Sequence, residues 1–281
     1  MNSESTRLPY DSSPDGPRCA VVLAGRRSTN DPLAKAAGAS HRALLDIEGE
    51  PMLLRVVQRL NAWPTIQRIL INIDEPALLH DLPDLMTLHK KGVVEFMKST
   101  DSPSRSVMES LVWADLERGP VLVTTADHAL LDDEMLGMFF RENARIDADL
   151  TFGLVSRTTI EARFPDAKRT YLRFRDGAFS GANLFLFRTP NAERTAAFWR
   201  RVESERKHPW RIARAFGIGT LLLFLTRRLN LDAALVRASK VIGARVQAIR
   251  LSIAEAAVDV DKIEDLELVR RILAERRNKA P

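Results

Sequence analysis

Cys19-Ala-Val-Val-Leu-Ala24-Gly25 and Pro120-Val-Leu-Val-Thr-Thr125-Ala126-Asp127 share one pattern. Each is a short apolar run rich in β-branched residues. Each stops abruptly, at a glycine in the first case and at a carboxylate in the second. Runs this short, with such punctuation, read as buried strands. Arg68–Ile73, 93–97 and 149–155 have the same character. Between them, 51–60, 105–116 and 131–145 carry apolar residues at helical spacing, and Pro51 sits where proline favours a helix start. Strand and helix therefore alternate over the first 155 residues, which predicts an α/β sheet with helices on both faces.

Beyond 156 the pattern changes. Residues 171–175 and 180–187 read as two strands around an Asp176-Gly177 turn. Segments 191–205, 209–228 and 231–242 read as helices, 246–251 as a late strand, and 261–277 as an amphipathic helix. With no repeat and no Gly/Ser linker, the organisation predicted is a polar, disordered lead-in over 1–17 and one domain over 18–281. That domain carries a helical insertion at about 190–243. The most apolar stretch, 216–225, is too short to cross a bilayer and is expected to be a buried core helix. Its flanking Arg211, Arg214, Arg227 and Arg228 also suit an interfacial helix.

The composition bounds the function. The chain has 281 residues, 45% hydrophobic and 28% charged, so it can bury a sizeable core without staples. A single cysteine, Cys19, excludes an internal disulfide framework and any multi-cysteine metal site. The lead-in lacks the apolar core of a signal peptide, so the cytoplasm is the expected compartment. Of the 42 basic residues nine are lysines and 33 arginines. Arginine forks suit phosphate and carboxylate. They are interspersed with acids and no nucleic-acid-binding motif is present, so nucleic acid is not the expected partner.

Val21-Val-Leu-Ala-Gly25-Arg26-Arg27, a polar loop, and Ser40-His-Arg42-Ala-Leu-Leu-Asp-Ile-Glu-Gly49-Glu-Pro51-Met-Leu resemble the opening signature of nucleotidyltransferases. These include the molybdenum-cofactor guanylyltransferases and the methylerythritol-phosphate cytidylyltransferases. The resemblance runs in motif order from about 19 to 275. It implies a three-layer, Rossmann-like sandwich on a mostly parallel mixed sheet, of glycosyltransferase-A type. It also implies a loop whose backbone N–H groups and basic side chains surround a triphosphate. Leu23, Ala24, Gly25 and Thr125 would then bind the nucleotide, and Arg26, Arg27 and Arg42 would serve catalysis. Two departures stand out: Arg26 replaces the second loop glycine, and Arg42 replaces the family lysine. Lys35 is an alternative triphosphate contact.

The same resemblance makes Asp127 a Mg²⁺ ligand. Asp259 and Asp261, in Ala257-Val-Asp259-Val-Asp261-Lys-Ile-Glu-Asp265, match a late family turn and are the further metal candidates; alternate residues of an extended segment share a side. Asp261 also reads as an N-cap and Asp265 as dipole compensation. Ser104, Arg105 and Ser106 resemble the base-reading segment of the cytidylyltransferases, which favours CTP. Gly181 and Asn183 lie in a small-residue strand where an acceptor would meet the nucleotide. Arg173 and Arg175, expected to point together with Lys168 and Arg169 upstream, would suit a compact, highly anionic acceptor such as a phosphorylated hydroxy acid or polyol.

The reading is a Mg²⁺-dependent nucleotidyltransferase that passes a nucleoside monophosphate to a small phosphorylated acceptor and releases pyrophosphate. A peripheral link to lipid head-group synthesis stays open through the 216–225 stretch. Two rivals remain: a glycosyltransferase of the same architecture, which would want a second acid where Ala129 stands, and a degenerate nucleotide-binding module.

Overall fold

The computed structural model describes residues 16–26, 31–167, 169–204 and 216–279. The first half contains β1 (Cys19–Leu23), α1 (Pro32–Ala36), β2 (Asp46–Ile47), β3 (Glu50–Pro51), α2 (Met52–Ala62), β4 (Arg68–Ile73), α3 (Pro83–Lys90), β5 (Val94–Lys98) and α4 (Pro103–Ala114). Then come β6 (Val121–Thr125), α5 (Asp133–Asn143), β7 (Leu150–Ser156), α6 (Arg157–Arg163), β8 (Leu172–Phe174) and β9 (Gly177–Phe187). The last elements are α7 (Glu193–Ser204), α8 (Ile218–Leu225), α9 (Leu231–Ile242), β10 (Val246–Leu251) and α10 (Ile263–Lys279).

One eight-stranded sheet organises the described residues, in the order β10-β7-β9-β6-β1-β4-β5, with β8 paired to β9. β6, β1, β4 and β5 are mutually parallel, and so are β7 and β10; β9 runs antiparallel between β6 and β7. Helices cover both faces, so the α/β expectation is met. The apolar runs follow from burial on both sides. Ala20 and Val22 belong to one core and Cys19 and Val21 to the other, as strand alternation requires. In α2, Met52, Leu53, Leu54, Val56, Val57 and Leu60 are all buried, each worth about 1.5–3 kcal/mol in removed apolar surface.

Several sequence expectations change. The polar loop 26–41 contains α1, begun by Asp31, whose carboxylate accepts from the Leu33 and Ala34 N–H groups before Pro32 at the first helical turn. α3 and α6 were not foreseen. β8 ends at Phe174, because Arg175 already lies in the turn before Gly177 (φ 143°) and its N–H donates to the Leu229 carbonyl. Arg173 and Arg175 therefore do not share one strand face. Most of the predicted lead-in, and Arg211 and Arg214, lie outside the described residues. The core helix expected at 216–225 is not found: α8 buries none of its residues, and Ile218 is 73% exposed. It rests on the outside of the fold through Phe224, 5.7 Å from Phe174, and through Thr220, which accepts from Arg237. No described helix is long and apolar enough to cross a membrane.

Candidate active site

The chain leaves β1 toward β4 and β5, then returns to β1's other side through β6. The crevice at the carboxyl ends of β1 and β6 is thus a topological switch point, where open α/β sheets bind ligands. Leu23 and Thr125 are register partners there. The Ala24 N–H donates to the Asn72 carbonyl and the Ala126 N–H to the Leu23 carbonyl, which fixes both strand ends. A Cβ on Gly25 would stand 2.9 Å from Ser99 Oγ, so the backbone passes where a larger residue would force Ser99 to move. A cavity of about 510 Å³ opens at this point, lined by Leu23, Ala24, Gly25, Thr125, Asp127 and Asn183 among others. The predicted nucleotide-binding residues of the first loop and of β6 are therefore on its wall. Asn183 holds a left-handed φ of 49°, beside the register shift between β7 and β9.

Arg26 lines the cavity but is held from behind. Its Nε lies 2.7 Å from Asp74 Oδ2, it also pairs with Glu75, and its N–H donates to Asp74 Oδ1. Buried His41 accepts the Ala43 N–H at Nδ1, so its Nε2–H donates to Asp74, at 2.9 Å. Burial works against an ionised Asp74, but His41 and the Arg26 N–H outweigh it and hold its carboxyl below the usual range. Sequence reasoning missed Asp74. The signal was available: like Asp127, it is an acid just past the end of a buried strand. Arg27 lies outside the described residues.

Arg42 also lines the cavity and spans two acids. Its Nε donates to Asp31 Oδ2 and its Nη1 to Asp261 Oδ1, each at 2.8 Å. These contacts overcome burial and raise its pKa further. Arg42 thus links α1 to the turn before α10.

Asp127 stands two residues beyond β6. Its backbone carbonyl accepts the Val260 N–H, which pins the Asp259–Asp261 turn beside it. Burial pushes its carboxyl up to about 6, opposed by the Thr125 hydroxyl, which donates to it, and reinforced by the charges of Asp259 and Asp261. Asp259 is likewise raised by burial and by Asp261, against Arg169. Arg169 Nη1 donates to Asp259 at 2.7 Å, and its Nη2 lies 3.0 Å from Asp265. Asp265 accepts from the N–H groups of 261 and 262, so it closes the start of α10 itself. Asp261 instead spends its carboxylate on Arg42.

Three predicted metal ligands thus meet in one corner. Among the described residues, however, no three acidic, histidine or cysteine side chains converge at metal-ligand spacing. Asp127, with two acids nearby and only Thr125 bonded to it, can present one carboxylate to a cation. That suits Mg²⁺, which commonly takes one or two carboxylates and completes its shell with phosphate and water. His128 faces away from the cavity lining, is 1% exposed, and has no hydrogen-bond partner for either ring nitrogen among the described residues. Burial lowers its pKa to about 4, so it is neutral at physiological pH.

The remaining candidates are not brought to the cavity. Ser104 is fully buried and donates to Glu203 of α7, and buried Ser106 bonds Thr100. Arg105 pairs with Glu109 along the outer face of α4. It is Pro103 and Val107 that reach the cavity from this segment. Arg173, Arg175 and Gly181 are exposed and off the lining. Lys35 is an exposed residue of α1, also off it, and Lys168 lies outside the described residues.

Comparison with known proteins bears on the family and the fold. Residues 20–158 match the model of the MobA-like NTP transferase domain. A structure described as a hypothetical transferase from Thermus thermophilus is 30% identical, with a TM-score of 0.70 over 89% of this chain and 100% of that one. The chain belongs to the MobA-like NTP transferase family. CMP:2-keto-3-deoxy-manno-octonic acid synthetase complexed with CTP shares the fold at 12% identity, TM-score 0.58, over 93% of this chain and 100% of that one. So does 4-diphosphocytidyl-2C-methyl-D-erythritol synthase from Anaerococcus prevotii, at 11% identity and TM-score 0.55, over 91% and 95%. No curated protein matches the chain.

Proposed function

We propose that this protein transfers a nucleoside monophosphate from a nucleoside triphosphate, CTP before the others, to a small phosphorylated acceptor. The observation that carries the reading is the meeting of Gly25, Arg42 and Asp127 on one cavity at the β1/β6 switch point. No protein nucleophile is required. An acceptor phosphate oxygen attacks the α-phosphorus, the bond between that phosphorus and the bridging oxygen breaks, and pyrophosphate leaves with the electron pair. The chain's work is alignment and charge neutralisation. Leu23 to Gly25 bring backbone close to phosphate. Arg42 offers a cation whose orientation Asp31 and Asp261 fix. Asp127 would hold Mg²⁺, which supplies charge neutralisation at the phosphates when bound.

The preference for CTP is supported by the resemblance of 102–111 to cytidylyltransferases, a segment that reaches the cavity with Pro103 and Val107 while its serines do not. The compact, doubly anionic acceptor loses its anchor, since Arg173 and Arg175 lie off the cavity; only its phosphate remains in the proposal. The test is pyrophosphate release over four nucleoside triphosphates and a library of phosphorylated small molecules, with and without EDTA. Turnover that vanishes in EDTA and returns with Mg²⁺ supports the reading. A protein that binds nucleotides but releases no pyrophosphate with any acceptor would overturn it.

A further inference from the structure

The cavity does not end at the phosphate corner. From Thr125 its floor follows the sheet face through the register row Val123–Phe185–Phe152 to the row Phe187–Leu150–Val246. Those rows lie two and four residues down the strands, so the hollow reaches about 13 Å below the strand ends. Its roof is Ala196 and Trp199 of α7 and Ile242 of α9. Space of this kind between a sheet and its covering helices is normally filled by side chains. The two faces of the same strands show the contrast. Thr151, Leu184 and Leu186, on the opposite face, are fully buried, whereas Phe152 and Phe185, stacked 6.5 Å apart in mid-sheet, are only half-buried.

The lining is also chemically polarised. Its charged residues, Arg26, Arg42 and Asp127, all stand at the strand-end corner. Among the described residues the deep end offers few polar groups: Thr195 donates to the Ala192 carbonyl of its own helix, and Trp199 of the roof adds an indole N–H. A nucleobase would bury most of its donors and acceptors unpaired in such a place, which is costly. A hydrocarbon body loses nothing by entering.

We propose that the deep end of this cavity binds the apolar body of the acceptor, so that the acceptor is an amphiphilic phosphate: an anionic head at Arg42 and an alkyl or aryl body over Phe152 and Phe185. The proposal rests on the nucleotidyltransferase reading for the word acceptor, and on the cavity alone for the subsite.

The experiment titrates the full chain with methyl, butyl, hexyl and octyl phosphate by calorimetry, below their micelle concentrations. Burial in the hollow gives about fourfold tighter binding per added methylene until the space is full. Ala196→Phe, which fills the roof, should end the gain at a shorter chain, and Phe185→Ala should extend it. Thermal unfolding of both variants verifies that they fold. Leu222→Ser, on exposed α8, should leave the series unchanged. A flat series in the wild type overturns the proposal. So does a series that Leu222→Ser abolishes and Ala196→Phe does not, since the chain then lies on the outer surface. So does displacement of octyl phosphate by cytidine, which carries no phosphate to reach the corner, because the hollow is then the nucleoside's own. Pyrophosphate release, measured alongside with CTP, keeps the two readings apart. Turnover with glycerol phosphate and a flat alkyl series sinks the subsite alone. A steep series without turnover supports the subsite while the transferase reading fails.

Discussion

The two ends of the cavity are built by different means. At the strand ends every charged side chain has a fixed neighbour: Arg26 with Asp74, Arg42 with Asp31 and Asp261, Asp127 with Thr125. Along the floor the walls are hydrocarbon, with Phe152 and Phe185 only half-buried. The first end is rigid because ion pairs and backbone N–H groups fix orientation, which is what charge stabilisation needs. The second has only shape and apolar surface, which set which bodies fit but do not orient them. On the proposed reading, chemistry belongs to the corner and selection among acceptors to the floor.

That division can be tested. Asp127→Ala removes the carboxylate proposed to hold Mg²⁺, and we expect at least about a hundredfold loss in kcat; near-wild-type turnover would dissolve the distinction between the two ends. Arg42→Ala should cost about 2 kcal/mol of transition-state stabilisation, read as kcat/KM. Arg42→Lys recovers only part of this, because a single ammonium cannot match a fork set between Asp31 and Asp261. Arg118→Ala, at an exposed i,i+3 pair on the surface, is the control and should change nothing measurable.

A smaller effect concerns stability. Burial pushes the Asp127 carboxyl from its ordinary 3.8 up to about 6. Between those values the folded protein binds more protons than the unfolded one, so this group makes stability fall as pH rises through the window. Asp127→Asn should therefore be more stable than the wild type above pH 6, by about 1–2 kcal/mol after allowance for solvent access. The gain should disappear below pH 3.8 in urea unfolding. His128 carries the opposite slope, losing stability as pH falls from 6.5 toward 4, but it is present in both proteins and cancels in the difference. The smallest effect is expected at Arg173→Ala. It should alter KM for any acceptor by less than about twofold, as for an exposed charge outside the site; a large change would extend the corner out to β8.

The corner was legible in the sequence because its residues sit in short local patterns: a glycine after a buried strand, an acid after another, two acids in one extended turn. The sheet was legible for the same reason, and β10 falls where its apolar run ends. What was hidden depends on contacts distant in the chain. Arg26 was read as a loop cation, but its direction is set by Asp74, which belongs to the end of β4. Arg169 was read with the acceptor cluster, whereas it closes on Asp259 and Asp265 at the far end of the sequence. Ser104 had the right residue type for reading a base, and Glu203 of α7 claims its hydroxyl. The floor exists only once β9 is threaded between β6 and β7, since the register sets which phenylalanines become neighbours. α8 misled for another reason: an apolar stretch has the same composition whether it is covered or left on the outside.

The recognisable stretch of the family stops at 158, just after β7, yet β7 has no hydrogen-bonded strand within that stretch. Its neighbours β9 and β10 both come later, and β9 is also what joins it to β6. A gene fragment trimmed to the similarity would leave β7 adrift and β6 with a bare edge, a template for aggregation. The unit that similarity recognises is therefore smaller than the unit that can fold. A nick in the 157–176 connection should leave the two pieces clasped together, because the strand that closes the sheet is supplied by the second.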